Sequence, residues 1–217
     1  DDDLEAIGTP YGGYAQSKWV AEKLALQAGA RGIPYAIYRP GLVSGHSLTG
    51  AWNTDNMISS MTRACLLLGA APDLDVVANV VPVDFVSAAI VQISKSPDNW
   101  NQTYHLENPS PLHLDKLLVC IANEGFHTER VSFEEWRADL FKKVAFMENG
   151  GWEPYLPLIE EVEEKQIFMP RIDLSNTLTK LAGTGIECAP VNGQLLSTYI
   201  KAFIAHDLIQ RPEIKTQ

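Results

Sequence analysis

Tyr14-Ala15-Gln16-Ser17-Lys18, followed by Tyr35-Ala36-Ile37-Tyr38-Arg39-Pro40-Gly41-Leu42-Val43-Ser44-Gly45, decides the fold of this 217-residue chain. The first stretch opens a helical pattern over about residues 11–30, and positions four apart share a helix face. Tyr14 and Lys18 therefore lie one turn apart. A lysine held beside a tyrosine favours the phenolate, which makes the phenol a usable proton donor. A plainer reading is an exposed helix on which Lys18 pairs with Glu22, four residues further on. Gly29, Gly32 and Pro34 then break the chain. Tyr35 to Tyr38 reads as a short buried strand that runs into a glycine-containing exit. Helix, turn, strand and exit make part of a βαβ unit, and open α/β sheets bind ligands beyond the carboxyl ends of such strands.

Gly13 to Trp19, with Ala21-Glu22, resembles the active-site helix of the extended short-chain dehydrogenase/reductases. The match is nearest to the terminal thioester reductase domains of nonribosomal peptide synthetases and to related carboxylic acid and aminoadipate reductases. Supporting segments are Tyr38-Arg39-Pro40-Gly41, Gly45-His46-Ser47-Leu48-Thr49-Gly50, Asn53-Thr54-Asp55-Asn56 and Pro82-Val83-Asp84-Phe85-Val86. The resemblance covers about residues 11–95 and is diffuse beyond 110. It implies an α/β fold: an incomplete Rossmann-like unit over 1–108, followed by a mainly helical substrate-binding subdomain over 109–217. It also implies roles. Tyr14 protonates the carbonyl oxygen being reduced, and Lys18 holds the nicotinamide ribose. Pro40, Gly41, Leu42 and Val43 contact the nicotinamide, and glycine there permits close backbone approach. His46, Trp52, Asn53 and Asp55 border the substrate channel, although Trp52 equally suits a core plug. The implied cofactor is NADPH. The implied partner is an acyl or peptidyl carrier protein bearing a phosphopantetheine thioester, released as an aldehyde or alcohol.

The family cradles its dinucleotide in a Gly-rich turn between strand and helix. No G-x-G-x-x-G occurs here, and the family's upstream Ser or Thr is absent, since Thr9 is too near Tyr14. The chain thus reads as the C-terminal part of a reductase domain, with an incomplete NADPH site and little activity expected in isolation. Two other readings stay open. One is an extended reductase of different specificity, such as a nucleotide-sugar epimerase or dehydratase. The other is a non-catalytic carrier-docking module.

Composition agrees with a packed globular protein: 46% hydrophobic and 20% charged residues. The net charge of −10 argues against nucleic-acid binding. Residues 1–100 hold six basic and ten acidic groups, and 101–217 hold eleven and seventeen, so neither half is a basic module. The one tight basic spot for an acidic carrier is Lys142-Lys143 with Arg137, and Glu160 to Glu164 reads as a solvated face. Three cysteines without CxxC spacing read as reduced thiols of a cytoplasmic protein. His105 and His113 read as structural, and the apolar run from Ala64 to Pro72 is too short to span a membrane.

Along the chain, helices are expected at 53–68, 84–94, 113–125, 133–147, 154–166, 173–182 and 191–207. Strands are expected at 76–83, 102–107 and 130–132. Asp84 is expected to cap its helix, and Asn108-Pro109-Ser110-Pro111 marks the clearest boundary.

Overall fold

The computed structural model describes residues 12–53, 57–144, 159 and 172–209. Its helices are α1 (Gly13–Ala30), α2 (Met57–Leu68), α3 (Val83–Ser94), α4 (Leu114–Asn123), α5 (Phe133–Val144), α6 (Ser175–Leu181) and α7 (Gly193–Ala205). The strands are β1 (Ala36–Pro40), β2 (Leu42–Ser44), β3 (Ala70–Pro72), β4 (Val77–Ala78), β5 (Val80–Pro82), β6 (Gln102–Leu106), β7 (Leu112–His113) and β8 (Glu129–Val131). The pairs β1–β6, β2–β5 and β3–β8 are parallel, and β4–β7 is antiparallel. Parallel pairs need crossover connections, so helices lie between the paired strands and the fold is α/β.

β1 and β6 run in register from Ala36 opposite Gln102 to Pro40 opposite Leu106. Every residue of β1 keeps some solvent exposure, which corrects the expectation of a buried strand. Burial is instead deep on β6, where Tyr104 and Leu106 are fully enclosed. A buried phenol needs a partner. Tyr104 donates to the Asn99 carbonyl at 2.8 Å, and its ring stacks on Tyr38 with 5.6 Å between centroids. The far edge of β6 is covered by side chains from α6. Asn176 Nδ2 donates to the Thr103 carbonyl and Thr177 Oγ1 to the His105 carbonyl, satisfying an edge that would otherwise lie open.

Among the described residues, three apolar cores hold the elements. Val81, Phe85, Ala89, Ile93, Tyr104 and Leu106 pack α3 beneath β5 and β6. Trp136, fully buried, centres a second core joining α5 to Ala64, Cys65 and Ala71, with Ile159 inside it. The third gathers α4 and α7 against Val80 and Leu112, with Trp52 packed on it. Residues from both sides of position 108 share this third core, and β3–β8 and β4–β7 also pair across that position. Met61, Cys65 and Leu68 of α2 face the second core, so their helical spacing serves packing.

Other expectations shift in detail. The strand expected at 76–83 is divided by Asn79, whose side chain turns aside to bond the main chain of Asn108. Asp84 does not cap its helix. Pro82, with extended backbone, occupies the N-cap, and Asp84 lies within the first turn. The helix expected at 154–166 lies outside the described residues except for Ile159. α7 does carry a side-chain cap: Asn192 accepts the Leu195 amide at 3.0 Å. Among the described residues, no helix is long and apolar enough to cross a membrane.

Candidate active site

α1 runs antiparallel to β1. Late in the helix Gly29 lies under the Tyr35 ring, just before the strand starts. Seven residues earlier Glu22 meets Arg39 near the strand's end, with Arg39 Nε donating to Glu22 Oε2 at 3.2 Å and Nη2 to Oε1. At 1.5 Å per residue, Lys18 and Tyr14 lie about 6 and 12 Å further along the axis. That displacement carries them past the carboxyl end of β1. Tyr14 is 79% exposed, and the Lys18 ammonium stands over its ring, 5.5 Å from the centroid. No residue of α1 is buried. The alternative in which Lys18 claims Glu22 is corrected by this geometry: Arg39 takes both carboxylate oxygens.

The exit from β1 is anchored internally. The Gly41 amide donates to the Leu106 carbonyl at 3.1 Å, and the Leu42 amide to the Asn79 carbonyl at 2.8 Å. A Cβ on Gly41 would lie 2.7 Å from the Asn79 carbonyl oxygen, so glycine is demanded here by the protein's own backbone. Pro40 is exposed, and Leu42 and Val43 are partly exposed. These two amides are spent, so a ring lying against residues 40–43 meets surface rather than free donors. The donor set that remains, a phenol and an ammonium on one exposed helix face, suits ribose hydroxyls and a carbonyl oxygen.

The next loop is held at both ends. The Ser47 amide and hydroxyl bond the two oxygens of Asp84 at 2.8 and 2.7 Å. The Leu48 amide donates to His46 Nδ1 at 3.2 Å, so a neutral His46 carries its proton on Nε2. Gly50 has φ +71°, and a Cβ there would fall 2.6 Å from that of Ala202, so the loop presses directly on α7. Tyr199 of α7 donates to the Gly45 carbonyl at 2.8 Å and lies 3.0 Å from Ser44 Oγ; burial pushes its phenol up to about 12. Trp52 packs in the core against Tyr199 and Phe203, with centroids 4.6 and 5.2 Å away. Asn53 is exposed, Leu48 at the loop tip is 84% exposed, and Asp55 lies outside the described residues. The structure thus brings Tyr14 to Lys18 and His46 to the Ser47–Asp84 anchor, while it directs Trp52 inward.

Partial burial raises the Asp84 pKa, but the Ser47 hydroxyl and amide outweigh it and hold the carboxyl below its ordinary value. A depressed native pKa contributes stability above the unfolded pKa and loses it as pH falls through the native one. Ser47→Ala is therefore expected to cost about 1 kcal/mol at neutral pH, a modest figure because the carboxylate is part-solvated. In urea melts, wild type and variant should converge as Asp84 protonates below the usual aspartate range. A gap constant down to acid pH would show that Asp84 does not anchor the loop.

Sequence reasoning missed Asn79 and Asn108. Asn108, 2% exposed, donates through Nδ2 to the Val80 and Ala189 carbonyls and accepts the Ser110 amide. Asn79 clasps its backbone from the other side. The two tie the ends of β5 and β6 to the segment entering α7. Polar residues flanking an Asn-Pro turn were the only signal.

The remaining candidates are structural. His105 lies 3.5 Å from Arg39 Nη1; burial first, and then the guanidinium, lower its pKa. His113 is exposed on β7. The expected basic spot is engaged internally: Lys142 with Asp139 at 2.9 Å, Lys143 on the Leu67 carbonyl, and Arg137 over the Phe133 ring. The three cysteines are free thiols, and burial pushes Cys65 and Cys188 up to about 12, far from nucleophilic. Among the described residues no cluster could hold a metal ion.

Residues 1–90 match the NAD-binding family model described as male sterility protein. A linear gramicidin synthase of Brevibacillus parabrevis is 44% identical over 124 residues, 57% of this chain and 2% of that protein. The terminal R domain from the myxalamid PKS-NRPS pathway superposes with a TM-score of 0.88 at 37% identity, over 98% of this chain and 54% of that one. The chain belongs to the thioester reductase domains of the extended short-chain dehydrogenase/reductase family. A thiolation-reductase di-domain from an archaeal nonribosomal peptide synthetase shares the fold, with a TM-score of 0.73 at 19% identity, over 92% of this chain and 42% of that one. The chain thus spans about half the length of these solved relatives and a small fraction of the synthase. Family membership implies a nicotinamide cofactor and accounts for the Rossmann-like parallel pairing.

Proposed function

We propose that this chain supplies the proton-donor helix and the substrate-side part of a reductase that releases a carrier-bound acyl or peptidyl thioester as an aldehyde, using NADPH. The supporting observation is the antiparallel set of α1 on β1, which carries an exposed Tyr14–Lys18 pair past the carboxyl end of the strand. When bound, the dinucleotide supplies the hydride. Tyr14 gives its phenolic proton to the thioester oxygen as the carbonyl carbon is reduced, leaving a hemithioacetal. Its C–S bond then breaks, the carrier keeps a thiol, and the aldehyde departs. Lys18 holds the ribose hydroxyls and keeps positive charge beside the phenol as it loses its proton. A second round on the aldehyde gives the alcohol.

The loop from His46 to Asn53 forms one border of the substrate channel, with Leu48 as its apolar tip and α7 as its backing. Residues 109–217 act as the mainly helical substrate-binding subdomain. The thiol of a phosphopantetheine arm is the expected leaving group, and the free cysteines fit a cytoplasmic protein. The test uses the full-length protein, NADPH and an acyl group loaded on its carrier. One NADPH consumed per aldehyde released is the expected result. Release of free acid without NADPH oxidation would replace reduction by hydrolysis.

A further inference from the structure

The ridge Tyr14, Lys18, Glu22 runs along one face of α1 at four-residue spacing, so Glu22 is the natural ion-pair partner of Lys18. The carboxylate turns to Arg39 instead. Arg39 approaches from β1 and grips the carboxylate through Nε and Nη2, a two-pronged contact that fixes its direction as well as its charge. The side chains of Arg39 and Glu22 are only 30% and 16% exposed, so this pair is stronger than one on open surface. A third arm of the guanidinium, Nη1, lies 3.5 Å from His105 Nε2 on the neighbouring strand. Arg39 is thus oriented from β6 while it holds α1.

We propose that Arg39 is a positioning residue that withholds Glu22 from Lys18, keeping the ammonium free to serve Tyr14 and the nicotinamide ribose. The inference rests on the roles given to Tyr14 and Lys18 above. Two consequences follow from one contact. The contact also ties α1 to β1, beside the packing of the Tyr35 ring on Gly29. If Arg39 is lost, the freed carboxylate lies one turn from Lys18 and captures its ammonium.

The test measures NADPH affinity by fluorescence titration of the full-length protein, alongside kcat and KM for the carrier thioester. Arg39→Gln is expected to raise the NADPH Kd about tenfold and lower kcat, with the thioester KM within twofold of wild type. The deciding variant is Glu22→Gln combined with Arg39→Gln, which removes the competing carboxylate. It is expected to recover most of the lost NADPH affinity although the clamp is still broken. A double variant no better than Arg39→Gln would overturn sequestration, as would an Arg39→Gln protein that binds NADPH normally. A wild type that binds NADPH yet releases no aldehyde would sink the thioester reading, and the Kd comparison would still decide the role of Arg39.

Discussion

Tyr14→Phe in the full-length protein is expected to reduce aldehyde release by about 10²–10⁴-fold, the span typical of losing a positioned general acid. The change removes one oxygen from a side chain that is 79% exposed in this chain and lies in none of the cores described. Folding should be little changed, with a melting temperature within about 2 °C of wild type, since substitutions that remove no packed group seldom exceed about 0.5 kcal/mol. Lys18 keeps its place over the ring face, so nucleotide binding should persist. Single-turnover measurement of aldehyde, with NADPH binding measured in parallel, separates the two effects. Loss of the chemical step with binding retained is the signature of a proton donor. Full activity in the phenylalanine variant would remove Tyr14 from the chemistry.

Asn108→Ala carries the largest expected stability effect. The amide satisfies the Val80 and Ala189 carbonyls and the Ser110 amide, all from a side chain 2% exposed. The buried Val80 carbonyl left without a bond costs about 1–3 kcal/mol, and the part-exposed Ala189 carbonyl and Ser110 amide about 0.5–1.5 kcal/mol each, so the three together cost roughly 2–6 kcal/mol. That is a large share of the total of about 5–15 kcal/mol typical of a folded domain. At roughly 2–4 °C per kcal/mol for a chain of this size, the melting temperature should fall by roughly 4–24 °C. Asn79→Ala should cost less, because Asn79 is partly exposed and its side-chain hydrogen bonds run to the Asn108 main chain. Equal losses for the two would mean that Asn108 does not bridge to the segment before α7.

The helix carrying Tyr14 and Lys18 is legible in the sequence because its signals are local: a four-residue spacing, glycine breaks and a following apolar strand. The α/β class follows from the same stretch. What escapes such reading depends on partners remote in sequence. β3 and β7 have three and two residues, too few to display a period, and they exist because Ala70–Pro72 finds Glu129–Val131 and Leu112–His113 finds Val77–Ala78. Asp84 looks like a cap because it precedes a helical run. Its carboxylate is claimed by Ser47, 37 residues earlier, and Pro82 takes the cap position. Trp52 offers no clue to its direction until α7 supplies Tyr199 and Phe203. Gly41 reads as a concession to a ligand, whereas the nearest obstacle is the Asn79 carbonyl. Arg39 is visible as part of a motif, but its hold on Glu22 depends on the antiparallel set of α1 on β1, which no spacing encodes.

The central claim is that Tyr14 serves a hydride transfer to a thioester carbon. Its most direct test follows the label from 4-deuterated NADPH in the full-length protein loaded with a carrier-bound acyl thioester. With both C4 hydrogens of the cofactor replaced by deuterium, the account predicts an aldehyde with one deuterium on the former thioester carbon, formed by wild type and missing from Tyr14→Phe. An unlabelled aldehyde, a free acid, or equal labelling by the phenylalanine variant would contradict it.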